Sequence, residues 1–291
     1  MLPLESVPNF SEGRDGATIE AIGTALTSAG ARLLDVHADA DHNRSVFTLV
    51  GSEAELVDGL VAGVGCARDR IDLRRHEGAH PRVGAADVVP LVPIRPDDLE
   101  RAQAAAREVA ARVGELGLPA FFYDGPERGP AYFRRGGPEG LQARIDAGEL
   151  VPDFGPSTLD PAAGAVLVGA RRPLIAFNVN LRTDDVQVAR AIAAVVRERG
   201  GGFRGVRALG LDLPRAGLVQ VSMNVEDWQV VGLHEIVARI VDEAASRGVE
   251  AAGSELVGLM PAGAAAAAAG SALRIDRFDA SRVLELRLLD D

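Results

Sequence analysis

The chain has 291 residues, 47% of them hydrophobic and 25% charged, a globular composition long enough for one large domain or two smaller ones, with no apolar run near the roughly 18 residues of a membrane span. Its formal charge of −11 argues against a nucleic-acid partner and for a small-molecule one. A lone cysteine, Cys66, excludes an intrachain disulfide and any cysteine-based zinc or iron–sulfur site, and all 31 basic residues are arginines, which excludes lysine Schiff-base and P-loop chemistry.

Met1-Leu2-Pro3-Leu4-Glu5 has neither the basic start nor the long apolar stretch of a signal peptide, so a cytoplasmic protein is expected. Val7-Pro8-Asn9-Phe10-Ser11-Glu12-Gly13 reads as a first strand and its exit. Ile19, Ile22 and Leu26 stand at helical spacing, and strands are predicted over 30–36 and 45–50. A helix opened by Glu53-Ala54-Glu55-Leu56 runs to about Ile71 and carries Cys66 as a packed thiol. A strand over 87–93, a helix over 97–114 and a strand over 119–123 follow. Residues 125–164 are rich in glycine and proline, with a short helix over 138–147, and suit either a linker or a binding loop.

From Ile175 the order repeats: a strand over 175–180, a helix over 186–199, strands over 205–211 and 218–223, and a helix from about Val231 to Arg247. A strand over 255–261, a helix over 262–273 and a closing strand over 282–288 complete it. Each half reads strand, helix, strand, strand, helix, strand, which fits the split βαβ or ferredoxin-like unit. The expected fold is therefore α+β, with two tandem halves over 1–170 and 171–291 and a ligand cleft between them. Exposed strand edges in such units favour a dimer.

Two clusters carry possible chemistry. His76-Glu77-Gly78-Ala79-His80 matches the zinc-protease pattern H-E-x-x-H, which needs both histidines on one helix face. Here Gly78 interrupts the helix and Pro81 drives His80 away from helical dihedrals, so the motif is expected in a loop. The second cluster, Asp35-Val36-His37-Ala38-Asp39-Ala40-Asp41-His42, places Asp35, His37, Asp39 and Asp41 on one side of a strand by alternation. A metal-dependent hydrolase using His37, Asp39, His42 and His76 is one reading of these groups. His234 falls within a helical pattern and reads as a packed or surface residue.

Several motifs together resemble the glutamate formimidoyltransferase family. They are Ser6-Val7-Pro8-Asn9-Phe10-Ser11-Glu12-Gly13, Asp41-His42-Asn43-Arg44-Ser45-Val46, His76-Glu77-Gly78-Ala79-His80-Pro81-Arg82-Val83-Gly84-Ala85-Ala86-Asp87-Val88, Pro152-Asp153-Phe154-Gly155-Pro156, Gly169-Ala170-Arg171-Arg172-Pro173-Leu174-Ile175-Ala176-Phe177-Asn178 and Ser254-Glu255-Leu256-Val257-Gly258-Leu259-Met260-Pro261. The resemblance spans nearly the whole chain. It implies transfer of a formimidoyl group from N-formimidoyl-L-glutamate to N5 of tetrahydrofolate, in histidine degradation and one-carbon metabolism. It also implies tetrahydrofolate as co-substrate, no metal, two similar halves with the ligand cleft or tunnel between them, a dimer, and a separate cyclodeaminase where that region is not fused.

The family's catalytic histidine falls on His80, acting as base and then acid. Arg82 and Arg44 are candidate clamps for a substrate carboxylate, since arginine forks match that group. Asp39 is a candidate to orient His80, and His37 a candidate member of the proton relay. The family's folate-binding loop maps onto Gly155-Pro156-Ser157-Thr158-Leu159-Asp160-Pro161-Ala162-Ala163-Gly164, with Ala163-Gly164 standing where the animal enzymes have Trp-Gly. That lost aromatic leaves a non-catalytic folate-binding protein as a further alternative.

Overall fold

The computed structural model describes residues 2–123, 128–276 and 278–287. The chain divides into two compact units, Met1–Arg172 and Pro173–Asp291.

The first unit begins with β1 (Leu4–Ser6) and β2 (Asn9–Phe10), two pieces of one line that both lie between the same neighbouring strands. Pro8, which has no N–H to donate, marks the break between them. Helix α1 (Gly16–Thr27) is capped by Asp15, whose carboxylate accepts from the Ala17 N–H. Strands β3 (Arg32–Asp39) and β4 (Arg44–Gly51) form a hairpin. Helix α2 (Glu53–Arg70) opens with a capping box in which Ser52 and Glu55 satisfy each other's backbone N–H groups. Strand β5 (Ala86–Pro93), helix α3 (Leu99–Glu115) and strand β6 (Ala120–Phe122) follow. Next come α4 (Pro130–Phe133), α5 (Gly137–Asp146) and strand β7 (Val166–Ala170).

The sheet runs β3, β4, the β1/β2 line, β5, β7, β6; β5, β7 and β6 pair in parallel and the other pairs are antiparallel. Helices α1, α2 and α3 bury one face of it. Buried Ala102, Ala105, Ala106, Val109 and Val113 stand at helical spacing along α3 and pack with Phe10, Phe47, Val89 and Leu91. Each fully buried valine or leucine there contributes about 1.5–3 kcal/mol relative to exposure. On the other face a second cluster of Phe121, Phe133, Leu141 and Leu167 covers the β5–β7–β6 end.

Two bulges decide what faces the remainder of that second face. Between β3 and β4 the register steps from Leu33 opposite Leu49 to Asp35 opposite Thr48, so Leu34 is the extra residue. Leu33 packs on the helical core, and the bulge turns Asp35, His37 and Asp39 to the opposite side. Between β2 and β5 the step from Asn9 opposite Val88 to Phe10 opposite Ala86 makes Asp87 the extra residue.

The second unit contains β8 (Ile175–Leu181), α6 (Val186–Val196), β9 (Val206–Leu213), β10 (Leu218–Val225), α7 (Leu233–Ala245) and β11 (Ala251–Val257). Its sheet is antiparallel in the order β11, β8, β10, β9. The apolar faces of α6 and α7 close a separate core around Ile192, Val221, Ile236 and Ile240. Helix α8 (Ala262–Leu273) and the short α9 (Leu284–Arg287) complete the described chain.

Three sequence expectations change here. The closing strand over 282–288 is helical where described: a 3-10 turn over Ala280–Arg282 precedes α9, Leu284 is 70% exposed, and Leu288 lies outside the described residues. Alternating apolar residues make a strand only with a pairing edge, and the described residues of this segment pair with no strand. Strand β7 was not anticipated, because its short apolar run follows a turn-rich stretch and is recognisable only by its parallel pairing with β5 and β6. The stretch after Tyr123 is not a linker between units. Its described part, from Arg128 to Gly164, lies inside the first unit and carries α4 and α5; Gly125 and Pro126 lie outside the described residues.

Candidate functional site

The H-E-x-x-H segment is not a helix. A 3-10 turn, Leu73–Arg75, ends α2's extension, and the chain then passes as a loop to β5. Gly78 sits where any side chain would collide with its surroundings: an added Cβ would come within 2.3 Å of the His42 carbonyl oxygen and 2.7 Å of Arg82 Nη2. The loop therefore lies directly on the β3–β4 turn. Ala79 N–H donates to the Asp41 carbonyl at 3.0 Å, and Asn43 Nδ2 donates to the Glu77 carbonyl at 3.0 Å.

Asn43 holds the turn in a left-handed conformation (φ 47°), which asparagine tolerates better than most residues. Its Oδ1 accepts from the Gly13 N–H at 2.9 Å, which ties the exit of β2 to the same turn. Gly13 has no room for a Cβ, which would stand 2.1 Å from the Asp39 carbonyl oxygen. Asp39 Oδ1 accepts from the His42 N–H at 2.6 Å and closes the turn from within.

His80 is half-buried at the centre of this assembly. Its Nδ1 stands 2.7 Å from the Pro81 carbonyl oxygen, and Arg44 Nη1 stands 2.5 Å from its Nε2. A carbonyl only accepts and a guanidinium only donates, so the proton belongs on Nδ1 and the lone pair on Nε2. Burial is the main cause that lowers the His80 pKa well below 6.5, with the Arg44 and Arg134 charges and His42 adding to it. The ring is therefore neutral at neutral pH, with its basic nitrogen covered by Arg44. A second contact of Arg44, from Nη2 to Asn9 Oδ1, fixes the guanidinium to β2.

Arg82 has a different setting. Its Nη2 donates to the carbonyls of His42 (2.9 Å) and His80 (2.7 Å), its Nη1 donates to that of Asn43 (3.3 Å), and Nη1 also contacts the His76 ring. It binds the loop to the turn through backbone oxygens. His76 Nε2 lies 3.0 Å from the Asn43 carbonyl, and burial and the neighbouring Arg82 lower its pKa. His42 packs beside the site, its ring centroid 6.0 Å from that of His80.

The Pro81 carbonyl stands at His80 Nδ1, and the Asp39 carboxylate accepts from the His42 N–H. His37 projects from the same sheet face, opposite Val46 in register. Among the described residues no three His, Cys, Asp or Glu side chains stand close enough together to hold a metal ion, so the four-residue hydrolase site does not assemble. His234 stands in the second unit at the start of α7, next to Glu235. Cys66 is half-buried against the first core.

The segment 155–164 is laced to the loop that carries His80. Ala85 N–H donates to the Ala163 carbonyl at 2.8 Å, Ala165 N–H to that of Val83 at 3.0 Å, and Leu73 N–H to that of Ala162 at 2.9 Å. Gly164 has φ 69°, and a Cβ there would meet the Val83 carbonyl oxygen at 2.1 Å. Leu159 is buried, with its N–H donating to Gln142 Oε1 at 2.8 Å, while Gly155, Pro156, Ser157, Thr158, Asp160 and Pro161 are exposed. Ala163 is buried in the helical core, so the position aligned with the animal tryptophan does not open onto solvent.

Sequence reasoning missed Asp87 and Arg134. Asp87 Oδ1 accepts from the Val83 N–H at 2.8 Å, and Oδ2 pairs with Arg134 Nη2 from the end of α4. The two are 47 residues apart. In the sequence Asp87 stands only as one residue of a strand and of the motif over 76–88, and no local pattern marks it as a bulge.

A neutral imidazole with an assigned lone pair, set among arginines on an α+β sheet, can accept and return a proton beside an anionic small molecule; this is the class of site the fold defines. Residues 3–171 match the formiminotransferase domain, N-terminal subdomain, and residues 176–279 match the formiminotransferase domain. The chain is 40% identical to glutamate formimidoyltransferase of Streptococcus pyogenes serotype M1, with 98% of each chain covered, and 38% identical to that of Thermoplasma acidophilum, with 98% and 97% covered. It is 39% identical to formimidoyltransferase-cyclodeaminase of Sus scrofa, covering 89% of this chain and 50% of the pig protein. The chain belongs to the glutamate formimidoyltransferase family.

Proposed function

We propose that this enzyme transfers the formimidoyl group of N-formimidoyl-L-glutamate to N5 of tetrahydrofolate, with His80 as the proton-transfer residue. The observation that carries this reading is the His80 tautomer: Nδ1–H held by the Pro81 carbonyl, lone pair on Nε2.

As N5 attacks the amidine carbon, a carbon–nitrogen bond forms and N5 becomes acidic. Nε2 takes that proton, and the Pro81 carbonyl supports the imidazolium through its bond to Nδ1. The bond from the amidine carbon to the glutamate nitrogen then breaks, and His80 returns the proton to the departing amine. Such acid–base assistance contributes typically 10²- to 10⁴-fold. Nε2 must be released by Arg44 first, and a substrate carboxylate arriving at the guanidinium would supply that exchange.

The exposed residues of Gly155–Gly164 are the proposed contact for folate, supported by the way the loop's buried end is tied to the segment just after His80. The strand order common to both sheets, with the first strand of each unit between the third and fourth, supports two split βαβ transferase subdomains. Cytoplasmic location, a homodimer and a separate cyclodeaminase belong to the same reading. The test is an assay of purified protein with tetrahydrofolate and N-formimidoyl-L-glutamate: His80→Ala should lose about 10²-fold or more of kcat, and undiminished turnover without the imidazole would overturn the role given to His80.

A further inference from the structure

Arg44 and Arg134 both carry a buried Nε–H with no acceptor. A guanidinium N–H left without a partner in a buried setting is costly, and here two occur around one imidazole. Arg82 lies in the same neighbourhood, so three guanidinium charges face the single buried carboxylate of Asp87. Asp87 satisfies Arg134 Nη2 and leaves the Nε–H groups of Arg44 and Arg134 for a further anionic acceptor.

The distribution of donors narrows where that anion binds. Arg82 is committed to the carbonyls of His42, Asn43 and His80. Arg44 touches His80 directly and is held by Asn9. Arg134 is aimed by Asp87, the bulge residue of β5, which is itself held by the Val83 N–H. The side chains of Arg134 and Asp87 keep only 13% and 3% of their exposure. A buried ion pair of this kind contributes little net stability against a hydrophobic substitute, so its retention here calls for another reason.

We propose that Arg134, positioned by Asp87, and Arg44 form a two-armed clamp for a dicarboxylic amino-acid donor, Arg44 taking the carboxylate next to the reacting nitrogen and Arg134 the side-chain carboxylate. The assignment of arms follows from chemistry: the amidine nitrogen and the α-carboxylate share one carbon, so the α-carboxylate falls beside the group that contacts His80. The side-chain carboxylate lies two methylenes farther off and suits the second guanidinium. Asp87 is a positioning residue in this scheme and does not touch substrate. The donor's two carboxylates meet the two guanidinium arms one for one, Arg82 being occupied by backbone carbonyls.

This inference rests on the donor named above, and the experiment separates the two. N-formimidoyl-L-glutamate is compared with its side-chain amide, N-formimidoyl-L-glutamine, in wild type, Arg134→Lys and the double variant Asp87→Asn/Arg134→Gln, which leaves the net charge of the chain unchanged. Wild type should favour the dicarboxylate donor in kcat/KM by about tenfold to a hundredfold, as expected for a charged hydrogen bond. In the double variant the preference between the two donors should vanish, through KM. Arg134→Lys should retain part of the preference, because the charge remains and the fork is lost. Undiminished preference in the double variant, or none in wild type, overturns the clamp. If no donor is turned over, calorimetry with L-glutamate and L-glutamine decides: tighter wild-type binding of glutamate, abolished in the double variant, keeps the clamp while the transfer reading fails, and equal binding of the two overturns it.

Discussion

Arg44 Nη1 donates to His80 Nε2 at 2.5 Å, so a permanent cation sits on the basic nitrogen of the imidazole. The contact has two consequences: it opposes protonation of the ring, and it must be exchanged before the ring can act. It also links β4 to a loop 36 residues away in the chain.

The activity profile should show this in its acid limb. Burial, Arg44 and Arg134 hold His80 well below 6.5, so the base stays neutral as pH falls through the ordinary histidine range. The plot of kcat/KM, which reports the free enzyme, should stay flat through pH 6.5 and fall only below it. A limb centred at or above 6.5 would contradict the depressed value.

Stability should move with the same sign. His80 and His76 both have folded values below 6.5, so between the folded and unfolded values the unfolded chain binds more protons. Their contribution is fully present above about 6.5 and is lost as pH falls through the folded values. Denaturant midpoints between pH 8 and pH 5 should decline on the acid side, and the decline should shrink in His80→Gln.

Replacing Arg44 by methionine removes the cation while keeping an unbranched stem. The His80 titration, followed by NMR of the ring protons, should move up towards 6.5, since one of its depressing charges is gone. Turnover should fall in the same variant because a carboxylate partner is lost. An unmoved titration would show that the Arg44 charge does not set the ring's state.

Arg82 was a candidate carboxylate ligand in the sequence, and its geometry makes it a tie between backbone oxygens. Arg82→Ala should lower thermal stability and kcat together, by about 1–3 kcal/mol in stability for the buried carbonyls left unpaired. KM for the donor should change less than in the Asp87/Arg134 double variant. A large KM effect without loss of stability would restore the ligand role.

Gly78→Ala tests the loop's seat. The added methyl would lie 2.3 Å from the His42 carbonyl oxygen, and backbone cannot yield there as a flexible side chain would. A loss of about 1–3 kcal/mol is expected, with reduced kcat because His80 and Arg82 move with the loop. Unchanged melting and turnover would mean that the loop can sit farther from the turn.

Much of this protein was legible before any tertiary contact was known. The spacing of Ile19, Ile22 and Leu26 marks α1, Glu53-Ala54-Glu55-Leu56 opens α2, and Gly78 with Pro81 rules out a helical zinc motif. These are local effects, in which a few neighbouring residues decide the backbone. The family motifs likewise pointed to His80. What needed the folded chain were relations between distant residues. The bulges at Leu34 and Asp87 depend on which strand lies alongside. The strand expected after Ala280 had the alternation but no partner. Asp87 meets Arg134 only because α4 folds back on β5, and the lone pair of His80 is assigned by a carbonyl and a guanidinium that share no local pattern. Local spacing sets the elements, whereas the proton on His80 and the charge around it are set by long-range packing, which no short window of residues contains.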